Sequence, residues 1–164
     1  MNPSSSYGGV VSQQEPFRVR IKVRHYELDS LGHVNHAVYH QYGEVARLEL
    51  FEQAGGMEKG LVESGISPVL LESHIVYRRE LRAGDVVDVS CRATFGEGKV
   101  FWMHNEIVKL DGTLSAEIKC TLGLMDLTKR KLVPEPRRLI EEAGLDLDVL
   151  CGTAGVPQDS LPTR

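Results

Sequence analysis

The chain has 164 residues, of which 41% are hydrophobic and 26% are charged, and its formal net charge is −4 at pH 7. This length and balance are typical of one globular domain with a single core. The negative charge argues against duplex nucleic acid as the main partner, because phosphate binding needs a basic surface. No apolar run approaches the ~18 residues of a membrane-spanning helix, so no membrane span is predicted.

The first half of the chain predicts an arm, a strand and a long helix. Residues 1–15 lack a basic segment followed by an apolar one, so we interpret them as a flexible arm and not as a secretory signal. Apolar and basic residues then alternate over 17–25, which predicts a half-buried strand. After a polar loop, apolar residues recur every three or four positions from about His36 to Gly55-Gly56, which predicts a helix. Its apolar surface is so wide that we expect neighbours to cover most of its sides.

The next part of the chain is predicted to form long strands joined by short turns. Their apolar segments are 68–81, 86–95, 99–110 and 113–127. Asp111-Gly112 is the strongest tight-turn signal between them. Three consecutive long strands joined by short turns predict an antiparallel meander.

The C-terminal part adds a short helix and completes the predicted fold. Pro134 and Pro136 introduce this helix and Gly144 ends it. Residues 16–145 thus form one predicted domain, and 146–164 a flexible tail. The order of elements predicts an α+β fold in which a five-stranded antiparallel sheet wraps around a long central helix. Long edge strands would stay open unless a second copy pairs with them, so we expect a homo-oligomer, either a dimer or a dimer of dimers.

The three cysteines, Cys91, Cys120 and Cys151, form no CxxC pair and no zinc-like cluster, so no metal site is predicted. Two of them fall within predicted strands, where a free cysteine usually behaves as a small buried apolar group. An odd number of widely spaced cysteines suits a reducing compartment, and we expect a cytoplasmic protein. Nothing in the sequence implies a cofactor.

The loop before the helix, within ELDSLGHVNHAVY (27–39), carries the chemistry. Asn35 is suited to cap the helix, whose first N–H groups lack internal partners at the positive end of its dipole. One of these donors, by count the His36 N–H, could hold a carbonyl oxygen that gains negative charge during acyl transfer. Asp29 lies on the loop that leads there, and a carboxylate can act as general base or nucleophile. Gly32 would let the loop turn tightly between them.

Other residues of this region have a structural interpretation beside the functional one. His33 could carry a proton, but a loop histidine is more often only exposed. Tyr26 and Tyr39, with Phe101 and Trp102, could line an apolar slot, although aromatic residues at these spacings are more often core. Both interpretations stay open for each residue.

The segment YELDSLGHVNHAVYHQYGEVAR (26–47) resembles the signature of the hotdog-fold acyl thioesterases, in the 4-hydroxybenzoyl-CoA thioesterase-like branch. The shared pattern is Asp, two residues, Gly, then Val-Asn and an aromatic residue, followed by a helix with Glu and Arg. It is especially similar to acyl-ACP and acyl-lipid thioesterases of plants and bacteria. The resemblance implies that a thioester of CoA or of an acyl carrier protein (ACP) is hydrolysed to a free acid, in fatty acid or polyketide metabolism.

The resemblance also assigns roles to individual residues. The family's catalytic carboxylate falls on Asp29, and its helix-start amide falls on His36. A relative that acts on polyketide thioesters uses a helix arginine that matches Arg47, although an ion pair of Arg47 with Glu44 is the preferred structural alternative. Glu44 is also the rival base. The candidate catalytic residues are Asp29, His36, His33 and Asn35, and the candidate substrate-binding residues are Gly32, Tyr26, Tyr39 and Arg47.

Two alternatives from other classes stay open. Enoyl-thioester hydratases share the fold, but their signature has a proline directly after the position of Asn35, and this chain does not. Hydration of an unsaturated thioester, or another nucleophile addition to it, is therefore the second choice. A non-catalytic acyl-binding module would need the same pocket without Asp29. The carrier is open too, because Arg78, Arg79 or Arg82 could face either the phosphates of CoA or an acidic helix of an ACP.

Overall fold

The computed structural model describes residues 16–153, and within them the helices and strands follow the predicted order. The strands are β1 (Arg18–Lys22), β2 (Ile66–Tyr77), β3 (Val86–Ser90), β4 (Arg92–Phe95), β5 (Val100–Lys109), β6 (Leu114–Asp126) and β7 (Lys131–Leu132). The α-helices are α1 (His36–Gln53), α2 (Pro136–Glu142) and α3 (Leu147–Cys151). A 3₁₀ turn (His25–Glu27) precedes α1, and a π-helical turn (Glu58–Val62) follows it.

All of these strands belong to one antiparallel sheet in the order β1-β3-β5-β6-β2. Short strands β4 and β7 extend it beside β5 and β6. β3 and β4 are two parts of one predicted strand, interrupted at Cys91. The predicted Asp111-Gly112 turn is confirmed, because Gly112 has a φ of +88° and the Lys109 N–H donates to Thr113 O at 2.9 Å. The five-stranded antiparallel sheet is therefore confirmed, and β1 and β2 form its two edges.

Helix α1 packs on one face of the sheet and forms the core with it. Ala46 and Leu50 are fully buried there, opposite sheet residues such as Phe101 and Met103. Each large apolar side chain buried in this way contributes on the order of 1.5–3 kcal/mol. Helix and sheet approach closely at Gly43, where an added Cβ would lie 2.9 Å from Ile118 Cδ1.

The outer side of α1 differs from the prediction. Val45 and Leu48 are 41% and 49% exposed in the described chain, so the expectation that neighbours cover most sides of the helix is wrong. The physical reason is that the sheet lies against one side of the helix only. No helix in the described ranges is long and apolar enough to cross a membrane.

Both ends of α1 lie where the sequence places them. Asn35 is the N-cap, and its Oδ1 accepts the N–H of Ala37 at 2.9 Å. The helix begins at His36 and ends at Gln53, and Gly55 follows with a φ of +126°. The capping and stop signals are therefore confirmed.

The C-terminal segment is more ordered than predicted. Helix α2 forms as expected, with Pro136 as its first residue, but the sequence analysis did not predict α3. Asp146 caps α3 by accepting the N–H groups of Asp148 and Val149, and Leu150 is fully buried. Residues 146–153 thus differ from the predicted flexible tail because Leu150 ties them to the core. The rest of that tail and the predicted N-terminal arm lie outside the described residues.

Candidate active site

The loop between β1 and α1 folds back on itself as a tight hairpin. Leu28 and Val34 form an antiparallel bridge, and the Asp29 N–H donates to His33 O at 2.7 Å. The Gly32 N–H donates to Asp29 O at 3.1 Å, and Gly32 has a φ of +74°. This left-handed conformation suits glycine, which confirms the predicted tight turn. Asp29 and His33 therefore lie side by side, just before the helix begins.

The carboxylate of Asp29 has one fixed oxygen and one free oxygen. Its Oδ1 accepts the N–H groups of Leu31 at 2.9 Å and of His33 at 3.2 Å. Its Oδ2 makes no hydrogen bond within residues 16–153, and the side chain is half-buried. The loop thus orients the carboxylate and leaves one oxygen available for water or substrate.

The start of α1 presents an unused donor. Asn35 caps the Ala37 N–H, while the His36 N–H donates no hydrogen bond within the described range 16–153. Helix α1 has 18 residues, so its N-terminus carries the partial positive charge of a full helix dipole. An N–H in this place can stabilise negative charge that develops on a carbonyl oxygen.

The two tyrosines named as candidates lie in different environments. Tyr26 is 78% exposed on the 3₁₀ turn. Tyr39 is buried, and its hydroxyl accepts the Leu81 N–H at 3.2 Å. Its ring meets the edge of Tyr77 at a centroid distance of 5.1 Å, and the Tyr77 hydroxyl donates to His36 O at 3.1 Å. Tyr39 is thus a core residue that ties the helix start to the end of β2.

His33 links the Asp29 loop to the segment after β2. Its Nε2 lies 3.1 Å from Nη2 of Arg82, and the neighbouring Val34 N–H donates to Leu81 O at 2.8 Å. A guanidinium only donates hydrogen bonds, so Nε2 of His33 is the acceptor in this contact. Arg82 also pairs with Glu80 at 3.3 Å. In this geometry His33 acts as an anchor of the loop.

Arg47 does not form the expected ion pair with Glu44, which is exposed to solvent one turn earlier in the helix. Within residues 16–153 no carboxylate lies within 4.0 Å of Arg47, and the predicted pairing is therefore wrong. Its Nη1 points towards the sheet instead, 3.4 Å from Asn105 Oδ1 and 3.3 Å from Cys120 Sγ. Gly43 makes room for it, since an added Cβ would lie 3.3 Å from Nη1.

Sequence reasoning missed the buried carboxylate Glu27, which is only 6% exposed. Its Oε2 accepts the Tyr42 hydroxyl at 2.6 Å and the Arg24 N–H at 2.7 Å, and its Oε1 accepts Arg24 Nη1 at 3.0 Å. Burial works to raise the pKa of Glu27, but the hydrogen bonds from Tyr42 and Arg24 outweigh it and hold the pKa below its usual range. Burial and the bond to Glu27 raise the pKa of Tyr42.

An antiparallel sheet on one long helix, with a carboxylate loop at the helix start, defines a hotdog-fold protein. The crystal structure of YbaW, a probable thioesterase of Escherichia coli, is similar to this chain with a TM-score of 0.71 and 26% identity, covering 79% of this chain and 99% of that one. The model of the thioesterase-like superfamily matches residues 23–143, and the chain belongs to this family. The fold and family implied by the segment 26–47 are thereby confirmed.

The names of two relatives mention different acyl carriers, an acyl carrier protein and CoA. The chloroplastic acyl-acyl carrier protein thioesterase ATL3 of Arabidopsis thaliana is 32% identical over 102 residues, which cover 62% of this chain and 54% of that protein. The acyl-CoA thioester hydrolase YbgC of Escherichia coli is 24% identical over 126 residues, which cover 77% of this chain and 94% of that protein. The match spans little more than half of some curated relatives, 54% of the plant thioesterase and 58% of a relative from Aquifex aeolicus.

Proposed function

We propose that this protein hydrolyses the thioester of an acyl-CoA or an acyl-ACP to a free carboxylic acid and a thiol. The observation that carries the proposal is the juxtaposition at the start of α1. The hairpin closed by Leu28 and Val34 holds Asp29 beside the chain that leads into the helix, and there the His36 N–H has no partner among the described residues. Membership of the thioesterase-like superfamily supports the same activity.

The proposed chemistry divides between these two groups. The His36 N–H donates to the thioester carbonyl oxygen and stabilises the negative charge that develops on it. Asp29 either removes a proton from the water that attacks the carbonyl carbon, or attacks that carbon itself to form an acyl anhydride that water then hydrolyses. In both cases the carbon–sulfur bond breaks, and the sulfur leaves as a thiol after it receives a proton.

The other site residues would support binding. Gly32 sets the turn that carries Asp29, and Asn35 caps the helix without occupying the His36 N–H. Arg47 is a cation without a carboxylate partner in the described chain, and it would face a polar group of the acyl chain. Either carrier is compatible with the arginines after β2, of which the Arg79 side chain donates, within residues 16–153, only to Arg78 O at 2.8 Å.

We further propose a homodimer in which strand β2 of one copy pairs with β2 of the other. β2 is 12 residues long and lies at an edge of the sheet, where Leu70 and Leu71 are 53% and 47% exposed. Such an edge is a ready template for another strand. Its last residue, Tyr77, donates to His36 O, so a partner along β2 would lie next to the site.

A direct test is an assay of purified protein on a panel of acyl-CoA and acyl-ACP thioesters, with the released thiol measured by a chromogenic disulfide. Asp29→Asn keeps the size and most hydrogen bonds of the side chain but removes the base, so turnover should fall ~100-fold or more. KM should change little, because the interaction that is lost belongs to the transition state. Circular dichroism checks that the variant is folded.

Glu44→Gln is the matched control, because it removes a carboxylate from the same region on an exposed face of α1. This variant should keep turnover within about twofold of the wild type. If Glu44→Gln is inactive while Asp29→Asn still turns over, the assignment of Asp29 is wrong. If no thioester is hydrolysed, the proposed activity itself is wrong.

A further inference from the structure

Glu27 lies at the base of the Leu28–Val34 hairpin and connects three parts of the site. Its carboxylate accepts the hydroxyl of Tyr42, in the second turn of α1, at 2.6 Å. Its backbone carbonyl accepts the N–H of the N-cap residue Asn35 at 2.9 Å. Asp29 follows it two residues later in the chain. The loop that carries the carboxylate and the helix that carries the His36 N–H are therefore fastened together at this residue.

We propose that Glu27 and Tyr42 form a positioning pair, which sets the place of Asp29 relative to the first N–H of α1. The inference rests on the proposed thioester hydrolysis and adds two residues that act on it from outside the reacting atoms. Neither residue of the pair contacts the substrate in this proposal.

Glu27 does not fit the role of a second base. Both of its oxygens are engaged, Oε2 with two donors and Oε1 with one, and the side chain is buried. Asp29, by contrast, keeps one oxygen without a partner in the described chain and is half-buried. Because hydrogen bonds hold the pKa of Glu27 low and burial raises the pKa of Tyr42, the pair stays carboxylate and phenol at neutral pH.

Removal of the Tyr42 hydroxyl breaks only the side-chain link between the Asp29 loop and helix α1. In Tyr42→Phe the Glu27 carboxylate keeps both of its bonds to Arg24, so it remains a paired anion, but it no longer holds the helix. A displacement of about 1 Å between reacting groups can cost on the order of 100-fold in rate. We expect kcat to fall at least ~10-fold and KM to stay within ~2-fold, since carrier and acyl contacts are unchanged.

The experiment measures kcat and KM for the wild type, Tyr42→Phe, Glu27→Gln and the double variant. If the two residues act as one unit, the double variant should lose no more than the worse single variant. Ile140→Val is the matched control for lost stability, because Ile140 is fully buried in α2, which packs beyond the other end of α1. The control should keep the kcat of the wild type.

A second measurement does not depend on activity. Hydrogen exchange of the Asn35 amide, which donates to Glu27 O, should be faster in Tyr42→Phe than in the wild type and in Ile140→Val. Faster exchange together with a lower kcat supports the proposal. A kcat equal to that of the wild type in Tyr42→Phe overturns it, as does an equal loss in Ile140→Val. If the wild type hydrolyses no thioester, the proposed function is wrong, and the exchange measurement alone then tests the link between Glu27 and Tyr42. Equal exchange of the Asn35 amide in the wild type and in Tyr42→Phe would refute that link.

Discussion

Gly32→Val should damage turnover far more than folding. Gly32 has a φ of +74° in the middle of the Asp29 hairpin, and a Cβ built on it meets no atom within 4 Å. The cost of a side chain at this position therefore comes from the backbone and not from a clash. An L-residue in the left-handed region costs roughly 1–2 kcal/mol, and a β-branched residue is an outlier there.

The chain can relieve this strain only by changing φ at residue 32. That change would break the bond from the Gly32 N–H to Asp29 O at 3.1 Å, and Asp29 would move. A loss of about 1–2 kcal/mol lowers the Tm of a domain of this size by only several degrees. A shift of about 1 Å in Asp29 would lower kcat on the order of 100-fold. Stability and activity thus separate at this position.

The measurement compares kcat on the best thioester with the Tm from thermal unfolding for three proteins: the wild type, Gly32→Val and Gly32→Asn. Asn tolerates the left-handed region, so Gly32→Asn should lose no more than about threefold in kcat. Unchanged turnover in Gly32→Val would show that Asp29 does not depend on this turn. An equal loss in both variants would show that the side chain matters and the backbone angle does not.

Three other outcomes follow from the structure. Leu71→Asp, at the exposed edge of β2, should convert the proposed dimer to monomers, as measured by light scattering. Leu110→Asp, on an exposed turn, is the control and should leave the dimer intact. A monomeric wild type would contradict the proposed pairing. The folded-state pKa of Glu27 is lowered, so its stabilising effect is full above the unfolded value of ~4.3 and is lost as the pH falls through the folded pKa. The urea concentration at the midpoint of unfolding should therefore decrease in the wild type when the pH falls below about 4, and it should decrease less in Glu27→Gln. If the midpoints of both proteins change equally with pH, Glu27 is not the group responsible. Turnover should survive EDTA, because the sequence offers no metal-ligand cluster; activity lost to EDTA and restored by a divalent ion would reverse this expectation.

Local signals in the sequence were sufficient to predict most of the fold and part of the candidate site. Asn35 caps α1 through its own neighbour Ala37, and Gly112 and Gly32 adopt the positive φ that their turns require. These features depend on a few adjacent residues, so a pattern in the chain can reveal them. The same is true of β1, where alternation sets the buried face.

Features that depend on distant packing were not predictable in this way. The side chain of Arg47 could pair along the helix or turn to the sheet, and only the space left by Gly43 decides for the sheet. Helix α3 has only 5 residues, too few for a helical period of apolar residues to be recognised, although Asp146 is a normal N-cap for it. Glu27 looks like any acidic loop residue until Tyr42, 15 positions away, is seen to donate to it.

The bulge in β2 has a consequence for assembly. The register with β6 shifts between Leu70 and Glu72, which leaves Leu71 without a partner and splits the free edge into two short stretches. An added antiparallel strand can run in regular register along one stretch only, because a bulge twists and interrupts the ladder. A long apolar edge invites uncontrolled growth of the sheet by further copies. The bulge therefore limits the length of any strand that can be added at this edge, which favours the proposed closed pair over an open-ended aggregate.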